Sequence, residues 1–438
     1  MITNLIPFFV ILYLLYFFKS GRLNNVLSIS LIVSFYLFAT NYTHFGFDIS
    51  IFRYLHRLIG ILAVVVLVFY IFRNHQSFLK DHVPWIMALF LFSILISYLG
   101  NNINFESYYH YLRNYIFIST VVLYLYFYID TNEKLEEIFI LISIISLILS
   151  FCLIFEKFIS RDLFYRAGLF YPNSNYLAYA LIPGFTLQIF SFDKYKWVKV
   201  PIIMLGVFST SSISSMIGVF FVGLVFLIYM KKKVLFLIAL TLSIIFSFSY
   251  FEFKLKNNKS DVRKIISRIV LNVVQQNPIN GIGYGQFVTK FSLYVDKKIY
   301  EDAPSELKDV LISYYYGYGK SLSAGEITTK DRRFSYENTS IYSSAVPGEK
   351  MTHNDLLTII SELGLIGLSV VIFLFYKIYQ QLKKLLLYRR QYYYLTISLI
   401  GGSLIFSMFH NNLTSIMFWL LIYIPFIINK NNEKNLEK

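Results

Sequence analysis

Long apolar runs recur along almost the whole chain, and they leave few folds open to it. Runs begin near Ile2, Val26, Leu58, Val83, Asn114, Ile138, Tyr176, Val198, Ile213, Val234, Leu356, Tyr392 and Thr414. A helix crossing a bilayer needs about 20 mostly apolar residues, and flanking interfacial aromatics let shorter ones serve. By that criterion the expected fold is an all-α polytopic membrane protein with about twelve or thirteen spans. The weakest of them is the short segment from Val198 to Phe208. Of the 438 residues, 56% are hydrophobic, 19% aromatic and only 15% charged, whereas soluble chains are about a quarter charged. Met1 to Phe18 lacks a basic leader and a small-residue cleavage site, so it reads as a retained first span.

The formal charge of +15 does not point to nucleic acid, because the basic residues sit in short runs between apolar stretches rather than along one surface. Lys231 to Lys233, the run of Lys377, Lys383, Lys384, Arg389 and Arg390, and the tail of Lys430, Lys434 and Lys438 fall on one side if spans alternate. Basic short loops favour the cytoplasm. The segment from about Glu252 to His353 is then periplasmic or extracellular, and the protein is expected in the inner (plasma) membrane. Arg53, Arg57, Lys157, Arg161 and Arg166 also fall outside, where a basic loop suits an anionic ligand. The single cysteine, Cys152, excludes a disulfide framework or a cysteine-rich metal site within one chain.

Three regions follow: residues 1–251 as an N-terminal bundle, 252–353 as a large outer loop, and 354–438 as three further spans with a cytoplasmic tail. The loop is about 100 residues, far beyond the usual connection, and a loop of that length is functional or disordered. Its first part has order. Ile265, Ile266, Ile269, Val270 and Val273 recur at helical spacing, with Lys264 and Arg268 on the other face. This predicts an amphipathic helix over 261–275, lying along the membrane surface. The Tyr- and Ser-rich stretch 314–347 is assigned no regular structure. Its tyrosines suit stacking on sugar rings or anchoring at the interface.

The stretch from Met351 to Val370 carries the most chemistry. Asn354 and Asp355 stand where a span begins, and there they would cap free N–H groups. His353 is not needed as a cap, and a neutral imidazole there is suited to take a proton from a sugar hydroxyl. Glu362 lies roughly 13 Å deeper. A carboxylate at that depth needs a cavity, water or a basic partner, unless it is a structural ion pair or a protonated packing group. Arg263 sits at the edge of the apolar face of the loop helix, placed either to meet an anion or to snorkel at a helix end. His410, Asn411 and Asn412 form an outer turn that lines the same mouth or serves as an ordinary polar turn. Gly281, Gly283 and Gly285 imitate a nucleotide-binding fingerprint without the strand it requires, and a tight turn fits them better.

The pattern His353, Asn354, Leu357, Glu362, Gly364 and Gly367 resembles the signature of the O-antigen ligase and polymerase superfamily. Arg263, Pro278, Gly281 and Gly283 resemble the family's arginine, amphipathic helix and glycine turn. Arg166, Gly168, Asn173 and Asn175 resemble a further segment. The resemblance covers roughly the second half of the chain and the span plan. It implies glycan transfer from an undecaprenyl-diphosphate-linked oligosaccharide to an acceptor hydroxyl, with no metal and no cofactor. Arg263 would clamp the diphosphate, His353 would orient or deprotonate the acceptor, and Arg166, Asn175, Asn354, Glu362, Arg268 and His410 are the further substrate-binding candidates. Membrane lipid and a chain-length regulator are the expected partners.

Family ligases carry an arginine in a Ser-x-Ser-Arg-like turn, and Ser212 occupies its place here. That departure favours a polymerase over a ligase delivering glycan to lipid A-core. A flippase of lipid-linked sugars ranks lower, since such a site belongs near the midplane, often with internal repeats, and the polar residues here cluster at one face.

Overall fold

The computed structural model describes residues 67–68, 71–72, 75–99, 101, 105–160, 167, 174–191, 193–232, 234–235, 260–302, 354–410 and 415–436. The regular elements among them are all helical. The main ones are α1 (His82–Ser97), α2 (Phe105–Tyr128), α3 (Asn132–Ser160), α4 (Ser174–Phe190), α5 (Lys196–Ser209) and α6 (Ile213–Tyr229). After them come α7 (Ser260–Gln276), the short α8 (Phe287–Lys290) and α9 (Lys297–Asp302), then α10 (Asp355–Tyr388), α11 (Arg390–Ser407) and α12 (Ile416–Leu436).

Each of the nine apolar runs from Val83 onward that falls on described residues forms a helix, including the short one near Val198. The runs starting near Ile2 and Val26 lie outside the described residues, as does the stretch 314–347, and of the runs starting near Leu58 and Val234 only 67–68, 71–72 and 234–235 are described. By length and composition α3 and α10 suffice to cross a membrane, while His82–Ser97, Leu177–Phe190 and Ile213–Tyr229 are shorter apolar helices. Boundaries differ from the hydropathy reading where local hydrogen bonding decides them. α3 starts at Asn132 rather than near Ile138 because the Thr131 hydroxyl accepts the Lys134 N–H (3.3 Å), an N-cap that hydropathy does not register.

The core is aromatic at its centre. α12 is buried on all sides from Ile416 to Phe426, and Trp419 meets Phe90 edge-on at 5.3 Å and stacks on Tyr423 at 6.1 Å. A helix apolar on every face belongs inside a bundle. α3 packs closely on its neighbours through small residues: a Cβ at Gly206 would lie 2.5 Å from Ser150 Oγ, and one at Gly184 would lie 2.1 Å from Ser146 Oγ. Small-residue contacts of this kind bring helix backbones together where lipid removes the hydrophobic drive between helices.

Contacts define the two ends of the bundle. At one end Gln391 donates to the Phe190 carbonyl (2.6 Å), Lys430 donates to the Tyr126 carbonyl (3.1 Å) and Lys384 pairs with Glu433 (2.9 Å). At the other end the start of α10 meets the end of α11, and α7 with its short companions packs there.

The helix expected over 261–275 forms as α7, but its surroundings differ from the expectation. Ile265, Ile266, Ile269, Val270 and Val273 are all buried against Ile282, Phe287, Val295 and Ile299, with Leu357 of α10 beside them. The apolar face is consumed by a small core of the loop's own making, so it does not lie on lipid. Sequence periodicity reports that a face is apolar, not what covers it. Asp296 helps to close this core. It caps α9 by accepting the Ile299 N–H at 2.7 Å and also accepts from Asn272 at 3.1 Å. The Ile299 amide first, and then Asn272, hold its carboxyl below the usual carboxylate range. A depressed folded pKa means stabilisation present above the unfolded value and lost as pH falls through the folded one. The thermal midpoint difference between wild type and Asp296→Ala is therefore expected at pH 7 and should vanish once the pH drops well below 4.

Candidate functional site at the mouth of a broken helix

α10 is not a continuous α-helix. It runs regularly over Asp355–Thr358, widens into a π-helical turn over Ile359–Leu363, and restarts at Gly364. In an unbroken helix the N–H groups of residues 365 and 366 would bond to the carbonyls of 361 and 362. Here those bonds are exchanged for bonds to the loop. Leu365 and Ile366 donate to the Pro278 and Ile279 carbonyls (2.9 and 3.1 Å), while Ile282 and Gly283 donate to the Ser361 and Glu362 carbonyls (both 3.0 Å). The turn after α7 thus occupies the gap in the helix. This close approach requires glycine on both sides. Gly281 (φ +64°) would place a Cβ 2.5 Å from the Glu362 carbonyl, and Gly364 (φ +61°) would place one 2.4 Å from the Ile279 oxygen. The tight-turn reading of Gly281, Gly283 and Gly285, all at positive φ, agrees with this geometry.

Glu362 completes the splice. Its Oε2 accepts the Gly285 N–H (2.9 Å) and its Oε1 the Phe287 N–H (3.0 Å), and the residue is buried. Two main-chain amides thus meet its oxygens, donors that the expectation of a cavity, water or basic partner did not include. The same turn is held from the opposite side by α1. Tyr98 donates its hydroxyl to the Tyr284 carbonyl, Ser97 Oγ accepts the Tyr284 N–H (3.2 Å), and Asn101 donates to the Gly281 carbonyl (3.1 Å). Asn280 returns a bond to the Leu99 carbonyl (2.8 Å). The half-buried Lys290 donates to the Ile282 carbonyl (3.1 Å), and burial lowers its pKa. Sequence reasoning missed Ser97, Tyr98, Asn101 and Lys290. Nothing in the local pattern of a polar helix end distinguishes a residue that grips another segment from one that faces water.

Above the splice lies the mouth. Asn354 caps α10, its Oδ1 accepting the Leu356 and Leu357 N–H groups (2.9 and 3.2 Å), and its amide donates to the Met408 carbonyl (3.0 Å). The capping reading of Asn354 is what the structure shows, with a tether to the end of α11 added. Losing such a cap costs about 1 kcal/mol, so Asn354→Ala should lower the thermal midpoint of the detergent-solubilised protein by a few degrees, read by a thermal-shift assay. Two residues past Met408, His410 is buried, stacks on Phe406 (4.4 Å) and places Nε2 3.1 Å from Ser214 Oγ. Ser212, at the position of the family's arginine, is fully buried in the same cluster, with Ser215 Oγ at 3.1 Å and Ser214 Oγ at 3.4 Å. Ala167 donates to the Ser209 carbonyl (3.1 Å) beside this turn. Asn175 is half-buried in the first turn of α4.

The candidate residues therefore divide. Asn354 and His410 come together where the start of α10 meets the end of α11, and the Ser212 cluster joins them. Glu362 lies one layer below. Arg268 is on the exposed face of α7, paired with Asp302, which places it with the loop's surface charges. The backbone of Arg263 is in the first turn of α7, and its side chain lies outside what the structure describes. His353 and Arg166 also lie outside the described residues. Among the described residues there is no group of three or more His, Cys, Asp and Glu side chains arranged to hold a metal ion.

A family model described as O-antigen ligase matches residues 200–372, and no curated protein matches the chain. The matched stretch takes in the Ser212 turn, α6, α7, the glycine turn and the broken part of α10. The chain resembles the O-antigen ligase and polymerase superfamily over that stretch, and supports an activity of the ligase or polymerase type in surface-polysaccharide synthesis. Arg166, Asn175 and His410 lie outside it.

Proposed function

We propose that the chain is a membrane-embedded glycosyltransferase that lengthens a surface polysaccharide at the outer face of the inner membrane. Its donor would be an undecaprenyl-diphosphate-linked oligosaccharide and its acceptor a sugar hydroxyl. The observation that carries this reading is the splice: the loop helix bearing Arg263 at its start is fixed to the same helix that begins at Asn354, directly after His353. In sequence the two candidate residues therefore stand beside segments that are joined through one broken helix. Basic residues gather at the opposite end of the bundle, among them Lys196, Lys232, Lys384, Arg389 and Arg390, which suits a cytoplasmic end.

The leaving group is a lipid diphosphate, so a guanidinium that stays charged and offers a planar fork of donors stabilises the charge that develops as the glycosidic bond breaks. His353 takes the proton of the attacking hydroxyl. The reaction needs no nucleotide sugar. Residues 1–251 and 354–438 would supply the spans and the lipid-facing groove, and 252–353 the outer domain that covers it.

Ligase activity is the second reading, favoured by the description of the matching family. The buried Ser212 cluster favours polymerase, because an uncharged turn closed by His410 replaces a cation expected to meet the donor. Purified protein incubated with lipid-diphosphate-linked repeat units should give a ladder of longer lipid-linked chains. Transfer only after lipid A-core is added would make it a ligase, and no covalent change with either acceptor would remove both readings, leaving a flippase.

A further inference from the structure

We propose that Tyr98 and Glu362 are positioning residues for the transfer, holding the 278–287 turn in the break of α10 from opposite sides and so fixing α7 over the mouth. The proposal rests on the transfer reading above, and assigns Glu362 a different task from binding substrate.

A π-helical turn in a long helix forfeits regular hydrogen bonds, and it persists where something else satisfies the freed groups. Here the satisfying partner comes from a segment about 80 residues away in sequence. Four main-chain bonds cross between Pro278–Gly283 and Ser361–Ile366, and two more run from the turn's amides to the Glu362 carboxylate. A carboxylate accepting main-chain N–H groups makes stronger bonds than a neutral acceptor does. A glutamine in its place presents one oxygen and one NH2, and the NH2 would face an amide that also donates.

On the far side Tyr98 and Asn101 hold the carbonyls of Tyr284 and Gly281. They belong to α1 and the turn after it, not to the loop or to α10. The turn is thus clamped between two helices distant in sequence, while α7 rises directly from it: Asn277 donates to the Val273 carbonyl (2.8 Å) and Gly281 to the Asn277 carbonyl (3.2 Å). With its apolar face locked onto Ile282, Phe287 and Leu357, α7 has no independent hinge within these residues. Any tilt of the turn therefore moves the start of α7, where Arg263 lies. A misplacement of about 1 Å in a catalytic group can cost up to about a hundredfold in rate, so a loosened clamp should act on turnover more than on binding.

The test uses the full chain in nanodiscs with a lipid-diphosphate-linked repeat unit as donor and acceptor. Tyr98→Phe, which removes one hydroxyl, and Glu362→Gln should each lower kcat about tenfold with KM changed less than about twofold. The two losses should be less than additive when combined, since both act through one turn. A crosslink separates position from mere stability. Leu99 is exposed and its carbonyl receives the Asn280 bond, so Leu99→Cys with Asn280→Cys, in a Cys152→Ser background, should form a disulfide spanning clamp and turn. Its oxidation should restore kcat to Tyr98→Phe, and reduction should remove the gain. Without any substrate, Glu362→Gln should slow formation of the same disulfide, read on a non-reducing gel.

An active wild type with full kcat in both Tyr98→Phe and Glu362→Gln would overturn the clamp. So would impaired variants that oxidation leaves equally impaired. A wild type that transfers no glycan, yet whose disulfide still forms more slowly with Glu362→Gln, would instead overturn the transfer reading on which the proposal stands.

Discussion

Gly364→Ala should leave little folded protein, an effect greater than that of any single hydrogen-bond deletion in the molecule. The residue has φ +61° and ψ −156°, a region open essentially to glycine alone, and a side chain forced into it costs on the order of 1–3 kcal/mol. Space adds to the cost. The new Cβ would lie 2.4 Å from the Ile279 oxygen and 2.6 Å from the Gly281 nitrogen, main-chain atoms that cannot rotate away. The turn would have to leave the gap, abandoning the bonds from Leu365, Ile366, Ile282 and Gly283 and the seat of the Glu362 carboxylate. Net stabilities of about 5–15 kcal/mol do not absorb a loss of that size easily. Size-exclusion chromatography of detergent extracts should show the monodisperse peak of wild type replaced by aggregate. Gly223→Ala, at a helical position with nothing within 4 Å of the added Cβ, is the matched control and should behave as wild type. A monodisperse, thermally unchanged Gly364→Ala protein would show that the turn does not depend on the gap.

Much of the helical plan was legible because hydropathy follows burial in lipid or in a bundle, and the two environments select the same residues. The runs near Val83, Ile213 and Leu356 could be placed on the chain from composition alone. The break in α10 could not. Glu362 and Gly364 stand in the family pattern, but nothing in that pattern marks a break, and the partner that makes them a splice lies in a different region of the sequence. The amphipathic face of α7 was legible, but its cover was not, since Ile282, Val295 and Ile299 are too scattered to form a periodic pattern. Glu362 shows the same limit from the side of charge. Its burial was legible from depth, whereas its partners are the N–H groups of Gly285 and Phe287, and main-chain donors leave no trace in residue identity. The Ser212 departure from the family pattern was legible as a missing cation. That His410 closes the cluster through Ser214 required α6 and α11 to be seen side by side.

Arg263→Ala and His353→Ala should each cut product formation by about a hundredfold or more while the protein still reaches the membrane, and the two losses should differ in kind. An arginine on the leaving diphosphate acts on charge that grows in the transition state, so Arg263→Ala should lower kcat by at least about a hundredfold. Arg263→Lys should recover only part of this, since an ammonium keeps the charge but not the two-pronged geometry. A general base contributes roughly 10²–10⁴-fold. His353→Ala should therefore lose activity on that scale, and His353→Gln, which can hold a hydroxyl but cannot take up its proton, should stay within the same loss. The pH profile separates the roles: a general base gives kcat/KM an acid limb, which the residual rate of His353→Gln should lose and that of Arg263→Lys should keep. Both variants retain the splice, because neither residue is among the groups that form it, so their thermal midpoints should match wild type. Full turnover in either alanine variant would remove that residue from the mechanism. An acid limb surviving in His353→Gln would assign the base elsewhere, with His410, 3.1 Å from Ser214 at the same mouth, as the next residue to replace.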